Sequence, residues 1–450
     1  MSADWIVVGS GFRALVGAWL LARDGARVTL VDRATALGGI LRGFSWDGHA
    51  LDFGCHVFGH DDPELTAIML DLLDGDVVPA PCRVASMLNG QHCPGVEIPD
   101  LRVFGETAMA RMLAEVVQAA ARPRPAGPSL RDLLEARYGP TAATLLDGCV
   151  RKQFAAPASM LAAEAWPATP MRRVRLADDD VSRLLKVAPA LDDRIAVPPS
   201  PERLDEPRAP GFAHRAFYPA AGGMAAFSAG AQRRLEALGV TLALGAAPHR
   251  VALKDGGVAV HTADGTVHRA AQLLWTGDNA ALLEALGAPP AVPPELAAHG
   301  VPMVLFYFQV PVDDVGAWSW AQSYDEAQLA FRASAPVRYG ARPDAQGRTV
   351  VCVEVPTRIE DAVWRDAPAH AARAWDDARA LGVVTGTAPL ATLVKQVPVS
   401  YRLPRRGFAR TEAALDARLA ATDTIQRTDE WAFTKNAMLA DLRRRLPVTA

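Results

Sequence analysis

The sequence predicts an α/β protein that begins with a βαβ unit. A short apolar run, Trp5–Val8, is followed by a glycine-rich turn, then an amphipathic stretch from Ala14 to Arg23, and then a β-branched run, Arg27–Val31. This order of strand, tight turn, helix and strand is the pattern of a parallel βαβ unit. Helical and strand-like segments continue downstream, so we expect this unit to be one part of a larger α/β fold.

The turn between the first strand and the first helix has the composition of a dinucleotide site. It reads GSGFRA over residues 9–14 and fits the pattern GxGxx(G/A). Gly9 permits the tight turn, Gly11 lets the backbone approach a pyrophosphate, and Ala14 allows close packing of helix on strand. The helix N-terminus favours a phosphate, and Asp32, which ends the second strand, can accept hydrogen bonds from a ribose diol. These features predict a Rossmann-like unit that binds a dinucleotide.

Composition restricts the class of protein. The chain has 450 residues, of which 50% are hydrophobic and 22% are charged, and its formal net charge is −3. These values are ordinary for a soluble globular protein and give no indication of binding to nucleic acid or to an anionic membrane. No apolar run approaches the roughly 18 residues that predict a membrane span.

Cysteine usage and the first residues bear on the compartment. The 5 cysteines include no CxxC pair and no zinc-like spacing, which is the pattern of neither a disulfide framework nor a metal site. The N-terminal sequence DWIVVG lacks the basic region and the cleavage pattern of a signal peptide. We therefore expect a cytoplasmic protein that binds no metal.

Helical and strand-like segments follow one another along the rest of the chain. Residues Thr107 to Leu146 are helical in pattern apart from a proline-rich stretch, Arg122–Pro128, and a further helix is predicted over Ala225–Leu238. The segment Val197–Pro210 is rich in proline and charge and is predicted to be an exposed loop. Strands are predicted at Thr241–Leu244, Val258–Thr262, Gln272–Thr276, Val301–Val310 and Thr349–Val355.

Two further motifs indicate which dinucleotide is bound. After Asp32 the sequence continues with ALGG over residues 36–39 and with DFGCHVF over residues 52–58. A second glycine pair, Gly38 and Gly39, just past the ribose-binding acid resembles the flavoprotein group that includes amine oxidases, phytoene desaturases and UDP-galactopyranose mutases. In that group this segment runs along FAD toward the flavin ring. The resemblance therefore implies FAD, bound by a Rossmann-like domain of the glutathione reductase type.

Segments in the first half of the chain resemble the UDP-galactopyranose mutases in particular. GCHVF over residues 54–58 is similar to their GPHIF-type segment, whose histidine lies by the flavin. RKQF over residues 151–154 is similar to KKQW, and MRRVR over residues 171–175 is similar to KRIPVR.

The similarity continues in order through the second half. FYPAAGG over residues 217–223 resembles the PxGGY turn of the mutases, and WTGD over residues 275–278 resembles YTGPID. Fainter similarities occur at PVSY over residues 398–401 and across residues 426–433. Together the segments extend along nearly the whole chain.

The resemblance implies a mechanism. The mutases interconvert pyranose and furanose forms of a nucleotide sugar: reduced flavin N5 attacks the anomeric carbon and the nucleoside diphosphate leaves, which is covalent catalysis by the cofactor. A guanidinium stabilises a departing diphosphate, and the position of Arg175 implies that role. His56 would contact the flavin edge as the second catalytic residue, and Phe154 would pack against the nucleotide base.

The resemblance also implies which residues contact FAD and which contact the substrate. The FAD contacts would come from Gly9, Gly11, Phe12, Arg13, Ala14, Asp32, Arg33, Gly38, Gly39, Val251, Thr276, Gly277 and Arg427. The substrate contacts would come from Phe154, Arg173, Tyr218 and Tyr401.

Each substrate-side assignment also has a structural interpretation that the sequence leaves open. Arg173 and Arg175 could belong to a solvated strand or loop, because surface arginine is common. His56 lies between Phe53 and Phe58 and could be a hydrogen-bonded core histidine, and Phe154 could be an ordinary core residue.

The sequence departs from the mutases where they bind the sugar diphosphate. The predicted strand Val304–Val310 has no arginine, although the mutases carry a second diphosphate-binding arginine near this region. Gln426 replaces a glycine, Phe433 stands for a tyrosine, and the segment 435–437 lacks an expected acid. Loss of one arginine from a desolvated diphosphate contact costs on the order of 2–5 kcal/mol, so these departures favour a different or less charged substrate.

Three functional hypotheses follow. The first is a flavin-dependent mutase-like enzyme that acts on a nucleotide sugar or a related small molecule, with an electron donor that keeps its flavin reduced. The second is an FAD-dependent oxidoreductase of the amine oxidase or desaturase kind. The third is a non-catalytic flavoprotein that assists a partner. None of the three involves nucleic acid, and the sequence does not fix an oligomeric state.

We expect three structural parts, because the pattern leaves the βαβ unit for helices and later returns to strands. The predicted parts are a discontinuous FAD-binding domain of residues 1–85, 215–300 and 395–450, a helical insertion of residues 100–190, and a sheet-containing substrate domain of residues 190–215 and 300–395.

Overall fold

The computed structural model describes residues 4–59, 62–123, 125–198, 216–254, 256–289, 291–420 and 422–448. The chain folds into two compact units. Unit 1 contains Met1–Val77, Pro219–Ala298 and Gly407–Ala450, and unit 2 contains Val78–Tyr218 and His299–Arg406. Of the predicted loop Val197–Pro210, only Val197 and Pro198 lie within the described residues.

A five-stranded parallel sheet forms the centre of unit 1. Its inner strands are short, mostly apolar and largely buried, as is usual where helices cover both faces of a parallel sheet. Val8, the last residue of the first strand, pairs with Val31 on one side and with Trp275 on the other, so the three strands end at the same edge. The strand order is Thr241–Leu244, Arg27–Asp32, Asp4–Val8, Gln272–Trp275 and Ile425–Arg427.

Helices and small antiparallel sheets surround this parallel sheet. In the first helix all residues from Ala14 to Ala22 are buried, and a Cβ built on Gly17 would stand 2.6 Å from Leu274 Cδ2, which shows how closely this helix packs on the sheet. The helices of unit 1 are Phe12–Arg23, Pro63–Leu72, Gly223–Ala237, Asn279–Ala285, Pro294–Ala297, Phe408–Leu419 and Lys435–Arg445. The antiparallel strands are Phe44–Trp46 with His49–Leu51, and Pro248–Lys254 with Gly257–Thr262 and Val267–Ala270; Phe58–Gly59 is a further short strand.

Unit 2 contains a mixed seven-stranded sheet. Phe306, Phe308 and other alternate residues point to one face, where Phe308 meets Trp375 edge to face at 5.3 Å between ring centroids. The strand order is Ala391–Pro404, Ala298–Pro311, Arg348–Pro356, Arg332–Ser334, Trp320–Ser323, Val84–Leu88 and Gln91–Pro94.

The other face of this sheet carries polar residues. Register places Gln322 beside Arg332, and Arg332 beside Glu354, on adjacent strands. Arg332 donates two hydrogen bonds of 2.7 Å to the two carboxylate oxygens of Glu354. Only 4% of the Glu354 side chain is exposed, so this is a largely buried bidentate ion pair of the geometry that arginine and carboxylate favour.

The helices of unit 2 include those predicted between Thr107 and Leu146. Proline-rich residues separate the first two of them, and Ser129 and Asp132 form a reciprocal cap at the start of the second. The helices are Glu106–Ala121, Leu130–Tyr138, Pro140–Phe154, Asp179–Leu185, Pro189–Asp192, Ala362–Arg365 and Ala371–Ala380. The strands Val77–Pro79 and Ala216–Pro219 contain points at which the chain passes between the units. Among the described helices none is both long and apolar enough to cross a membrane.

The division into units differs from the three predicted parts. Unit 2 includes both the predicted helical insertion and the predicted sheet-containing domain. Lys152, on the helix Pro140–Phe154, explains part of this, because its ammonium donates to the carbonyls of Gln328 and Leu329. The backbone N–H of Leu329 in turn donates to Asp377 at 2.6 Å, so the helices and the sheet share one polar and apolar core.

The predicted α/β fold with a Rossmann-like unit and a second mixed sheet is confirmed. The strands that were not predicted include one edge strand of each of these two sheets. Ala391–Pro404 is an edge strand that contains Pro398, and an internal proline argues against a strand unless the strand lies at an edge. Ile425–Arg427 has only three residues, which is too short for an alternating pattern to be recognised.

We predict that Arg332→Met lowers the free energy of unfolding by about 3 kcal/mol, because it removes the cation that forms two hydrogen bonds with the buried Glu354 carboxylate. Arg358→Met is the matched control, since the pair that Arg358 forms with Asp361 is exposed at the surface and such pairs contribute about 0–1 kcal/mol. Urea denaturation of both variants measures the difference. Equal effects of the two substitutions would contradict the assignment of Arg332 and Glu354 as a buried structural pair.

Candidate functional site

The turn at residues 9–14, which we call the dinucleotide turn, is shaped by a contact with the fourth strand of the sheet. Gly9 has a φ of 125°, a region that L-residues with a side chain avoid. A Cβ at Gly9 would stand 2.2 Å from Thr276 Oγ1. Thr276 is itself fixed, because its hydroxyl and its backbone N–H both donate to the Val8 carbonyl, at 2.8 and 3.0 Å. The packing of the turn against Thr276 therefore requires glycine at position 9, whether or not a ligand is bound.

Gly11 differs from Gly9, because the space before it is open. Its φ of −80° is available to any residue, and a Cβ built on it would meet no protein atom within 4 Å. Gly11 is the N-cap of the helix Phe12–Arg23, which has no side-chain cap and no acidic residue in its first turn. Its backbone N–H groups and partial positive charge therefore face the open space, where a pyrophosphate would be stabilised.

The second glycine pair packs directly against the dinucleotide turn. The Gly38 N–H donates to the Ser10 carbonyl at 2.8 Å, and a Cβ on Gly39 would stand 3.1 Å from Gly11 Cα. Both glycines have positive φ values, 104° and 57°. Two sequence motifs separated by about 30 residues thus form one glycine-lined surface.

The acid predicted to hold a ribose lies at the same edge of the sheet. Asp32 ends its strand and is half-buried, and its Oδ1 accepts a hydrogen bond of 2.6 Å from the Ala34 N–H. That bond orients the carboxylate. Arg33, the next residue, is exposed. A role for either residue in binding the adenosine half of a dinucleotide stays a prediction.

Two other predicted FAD contacts lie in the sheets of unit 1. A Cβ on Gly277 would stand 3.3 Å from Trp275 Nε1, so the backbone at Gly277 passes close to the tryptophan ring. Val251 is 4% exposed and pairs with Val260 inside the three-stranded antiparallel sheet. Its side chain belongs to the core, so any contact of Val251 with a cofactor would involve its backbone.

The side chain of Arg13 binds the segment of residues 428–435, which we call the tail. Its Nη2 donates to the carbonyls of Glu430 and Ala432 at 3.0 and 2.8 Å. The predicted contact of Arg13 with FAD stays a prediction. Burial lowers the pKa of the Arg13 guanidinium, and the charges of Asp429, Glu430 and Asp441 oppose this. Phe12 next to it is half-buried at the start of the helix.

Arg427 is held by carboxylates of unit 1. Its guanidinium donates to Glu412 and Asp416, each at 2.5 Å. Burial acts to lower the pKa of Arg427, but the bonds to these two acids outweigh it and raise the pKa overall. Arg427 thus anchors the strand Ile425–Arg427 to the helix Phe408–Leu419, and its predicted contact with FAD is untested.

The segment 54–58 lies against the tail. His56 is half-buried, and its Nε2 is 3.1 Å from the Phe53 carbonyl. Lys435 donates to the Val57 carbonyl at 3.4 Å, and its Nζ lies 5.2 Å from the centroid of the Phe58 ring. Burial lowers the pKa of Lys435 to about 8. The sequence pattern indicates only that the segment 435–437 lacks an acid, and it does not predict this contact.

Arg175, the predicted diphosphate ligand, is part of a buried ion-pair cluster in unit 2. Its guanidinium donates to Asp179 at 2.7 Å and to Cys93 Sγ at 2.9 Å, and lies 3.4 Å from an oxygen of Asp100. Asp100 also accepts a bond of 2.8 Å from Arg102. Burial raises the pKa of Cys93 to about 11, assisted by Asp100, so the thiol stays protonated. Arg175 therefore balances two carboxylates of its own unit.

The four residues predicted to touch the substrate have structural partners in unit 2. Arg173 is exposed and pairs with Asp192, and its Nε donates to the Asp192 carbonyl at 2.7 Å. Phe154 is fully buried and meets the half-buried Tyr401 edge to face at 5.5 Å. Tyr218 is 1% exposed and stacks edge to face on Tyr339 at 5.3 Å.

Glu354 is a polar residue that the sequence analysis did not single out. It is the one charged residue between Thr349 and Val355 in an otherwise apolar predicted strand, and a buried charge in such a strand is normally paired. The sequence alone could therefore have indicated that Glu354 is paired. It could not identify the partner, because Arg332 lies on a strand of only three residues. In the part of the chain that the structure describes, no group of three or more His, Cys, Asp or Glu residues could hold a metal ion.

Comparison with known proteins supports this description of the fold. Residues 7–72 match the family model of an NAD(P)-binding Rossmann-like domain. No curated protein matches the sequence.

Solved structures match nearly the whole chain. A reduced UDP-galactopyranose mutase has a TM-score of 0.71 at 15% identity, covering 99% of this chain and 93% of its own. A candidate protoporphyrinogen oxidase from Exiguobacterium sp. 255-15 has a TM-score of 0.69 at 14% identity, covering 99% and 98%. A single-site variant of putrescine oxidase has a TM-score of 0.64 at 15% identity, covering 98% and 97%. The chain thus has the fold of the flavoprotein group that its sequence resembles, which includes both mutases and oxidases.

We predict that Gly11→Ala reduces affinity for FAD at least tenfold while lowering the Tm of the apoprotein much less than Gly9→Ala does. The added methyl group meets no protein atom but occupies the space in which a pyrophosphate would approach the backbone. Titration of the apoprotein with FAD measures the first effect and thermal unfolding the second. Gly9→Ala is the contrasting variant, since its methyl group would collide with Thr276 and lower the Tm. Undiminished FAD affinity of Gly11→Ala would exclude the dinucleotide turn as the pyrophosphate site.

Proposed function

We propose that this chain is an FAD-dependent enzyme that acts on a small organic molecule, and that its reaction is a net oxidation or reduction. The single observation that carries the cofactor assignment is the glycine-lined surface of Gly11, Gly38 and Gly39 at the uncapped end of a helix. The structural neighbours support it, because the fold is shared with oxidases and with a mutase.

The surface suits a dinucleotide and, within that class, FAD. A strand–turn–helix unit binds the ADP half that NAD and FAD have in common, so the NAD(P) family match over residues 7–72 is compatible with either. The preference for FAD comes from the second glycine pair and the segment 54–58, which resemble flavoproteins. Gly39 packs on Gly11, so the part of the chain that carries this resemblance begins at the pyrophosphate surface itself.

We prefer a redox reaction because the arginines that the resemblance assigns to a diphosphate are already paired with acids. A site for a nucleotide sugar needs cations that are available to a diphosphate. Arg175 is engaged by Asp100 and Asp179, and Arg173 pairs with Asp192 at the surface. To release Arg175 for a ligand would leave Asp179 without this ion pair and would remove part of the charge balance of the buried Asp100, which Arg102 also pairs. Both effects are costly. A less charged substrate avoids that cost.

The chain's own groups would act on the cofactor by position and charge. When bound, FAD supplies a hydride acceptor or donor at its ring. The helix N-terminus at Gly11 stabilises the phosphate charges, and the orientation of Asp32 by Ala34 prepares one carboxylate oxygen for a ribose hydroxyl. His56 belongs to the segment 54–58, which resembles the flavin-contacting segment of the mutases, and its Nε2 lies 3.1 Å from the Phe53 carbonyl. A histidine at that position can hold or accept a proton at its ring nitrogens.

A mutase acting on a nucleotide sugar is the second candidate. One observation favours it: the reduced UDP-galactopyranose mutase covers 99% of this chain with a TM-score of 0.71. The two candidates differ in net chemistry. A mutase returns an isomer of its substrate with no net electron transfer, whereas an oxidoreductase changes the redox state of its flavin in every half-reaction.

The test is a spectroscopic screen of the purified protein. We expect bound FAD, and we expect UDP at about 1 mM, a concentration that detects even weak binding of about −4 kcal/mol, to leave the flavin spectrum unchanged in both oxidised and dithionite-reduced protein. We further expect at least one compound from a panel of amines, alcohols and unsaturated acids to bleach the oxidised flavin without oxygen. Perturbation by UDP together with isomerisation of a UDP-sugar would establish the mutase instead, and absence of any flavin would remove both candidates.

We predict that Arg175→Met lowers the Tm of the protein by several degrees, because the buried Asp100 loses part of its charge balance. Arg173→Met, which removes the exposed partner of Asp192, should change the Tm little. Thermal unfolding of the two variants measures this. A normal Tm for Arg175→Met combined with lost turnover and retained FAD would instead place Arg175 at the substrate.

A further inference from the structure

Lys435 is a partly buried cation with no acidic partner among the described residues. It begins the helix Lys435–Arg445, donates to the Val57 carbonyl at 3.4 Å and faces the Phe58 ring. Burial is what lowers the pKa of Lys435 to about 8, and no carboxylate of the described chain raises it.

The basic residues at the other end of the same helix differ from Lys435, because each of them forms an ion pair. Arg443 pairs with Glu64, while Arg444 and Arg445 pair with the buried Asp441 at 3.2 and 2.8 Å. Each of these three arginines therefore has an acid of unit 1 within ion-pair distance, whereas the contacts of Lys435 are a carbonyl and an aromatic ring.

The position of Lys435 is determined by the tail that precedes it. The Thr428 N–H donates to the Trp275 carbonyl at 3.0 Å, next to the Thr276 that shapes the dinucleotide turn. Arg13, within that turn, binds the tail carbonyls of Glu430 and Ala432. The tail thus runs from the dinucleotide turn to the segment 54–58, where Lys435 makes its contacts.

Two further bonds fix the end of the tail. The side chain of Thr434 caps the helix by accepting from the Ala437 N–H at 3.1 Å. Asp441, which is 1% exposed, accepts from the Asp429 N–H at 2.6 Å. These bonds fix the backbone from which the Lys435 side chain projects toward Val57 and Phe58.

A desolvated cation without a counter-charge destabilises the folded protein. Such groups are concentrated at functional sites, where a ligand brings the missing charge. The contacts of Lys435 lie in the segment 54–58, which the sequence resemblance associates with the flavin ring. The charge that would meet it there is that of the reduced ring, because uptake of two electrons and one proton by oxidised flavin leaves one net negative charge.

We propose that Lys435 stabilises the negative charge that the flavin ring gains on reduction, and so raises the reduction potential of the bound FAD. This inference rests on the proposed function, because it requires bound FAD. A nearby cation attracts the anionic reduced ring and not the neutral oxidised ring, so it favours reduced FAD over oxidised FAD.

The experiment compares the reduction potential of FAD in the wild-type protein, Lys435→Met, Lys435→Arg and Lys254→Met by anaerobic titration against a redox dye. Lys254 is an exposed lysine of unit 1 and is the matched control. We expect Lys435→Met to weaken the binding of reduced FAD relative to oxidised FAD at least tenfold, which corresponds to a potential lower by about 30 mV for a two-electron couple. Lys435→Arg should retain most of the wild-type potential, and Lys254→Met all of it.

A second measurement separates an electrostatic role from a structural one. The apoprotein of Lys435→Met should have a Tm at least equal to that of the wild type, since the variant removes a desolvated charge. If the potential is unchanged in Lys435→Met, or falls equally in Lys254→Met, the role of Lys435 is refuted while the FAD assignment stands. If the wild-type protein binds no FAD, the proposed function and this inference both fall.

Discussion

The rest of unit 1 depends on the close approach of three backbone segments at one edge of its parallel sheet. Gly9 lies against Thr276 at a distance that excludes a side chain, and Gly39 packs closely against Gly11 with a positive φ that favours glycine. Because the strands are parallel, their carboxyl ends meet there, and the same constraint places Asp32 at that edge. The opening before Gly11 and the uncapped helix end follow from this packing, so the protein's own core determines where an anionic ligand can approach.

The two units use charge in different ways. In unit 2, the arginines that the mutase resemblance assigns to a diphosphate are committed to Asp100, Asp179 and Asp192. In unit 1, Lys435 has no acid beside it among the described residues, and it lies against the segment 54–58. The arginines that the resemblance assigns to a diphosphate are thus paired with acids of their own unit, whereas Lys435 contacts a carbonyl and an aromatic ring.

The cofactor end of the fold could be predicted from sequence because its signals are local. The turn GSGFRA and Asp32 adjoin the strands and the helix that identify them as a dinucleotide motif, and the glycine pair follows Asp32 within a few residues. The substrate side could not be predicted in this way. Whether an arginine faces a ligand or an acid depends on contacts between residues that are distant in sequence, such as Arg175 and Asp100, which are separated by 75 positions. Arg13 illustrates the same limit: its motif placed it correctly in the turn, but its partners lie more than 400 residues away.

The order of strands in unit 1 has a consequence for how the protein acquires its cofactor during synthesis. The central strand Asp4–Val8 is made before its neighbour Gln272–Trp275, and the edge strand Ile425–Arg427 and the tail bound by Arg13 are made later still. Chains fold as domains emerge from the ribosome, but here the Rossmann-like unit lacks one side until its edge strand and the tail have been translated. Unit 2 ends at Arg406, so all of its residues are translated before the edge strand. Flavin insertion is then a late event in maturation, and chains truncated before the edge strand would accumulate without cofactor.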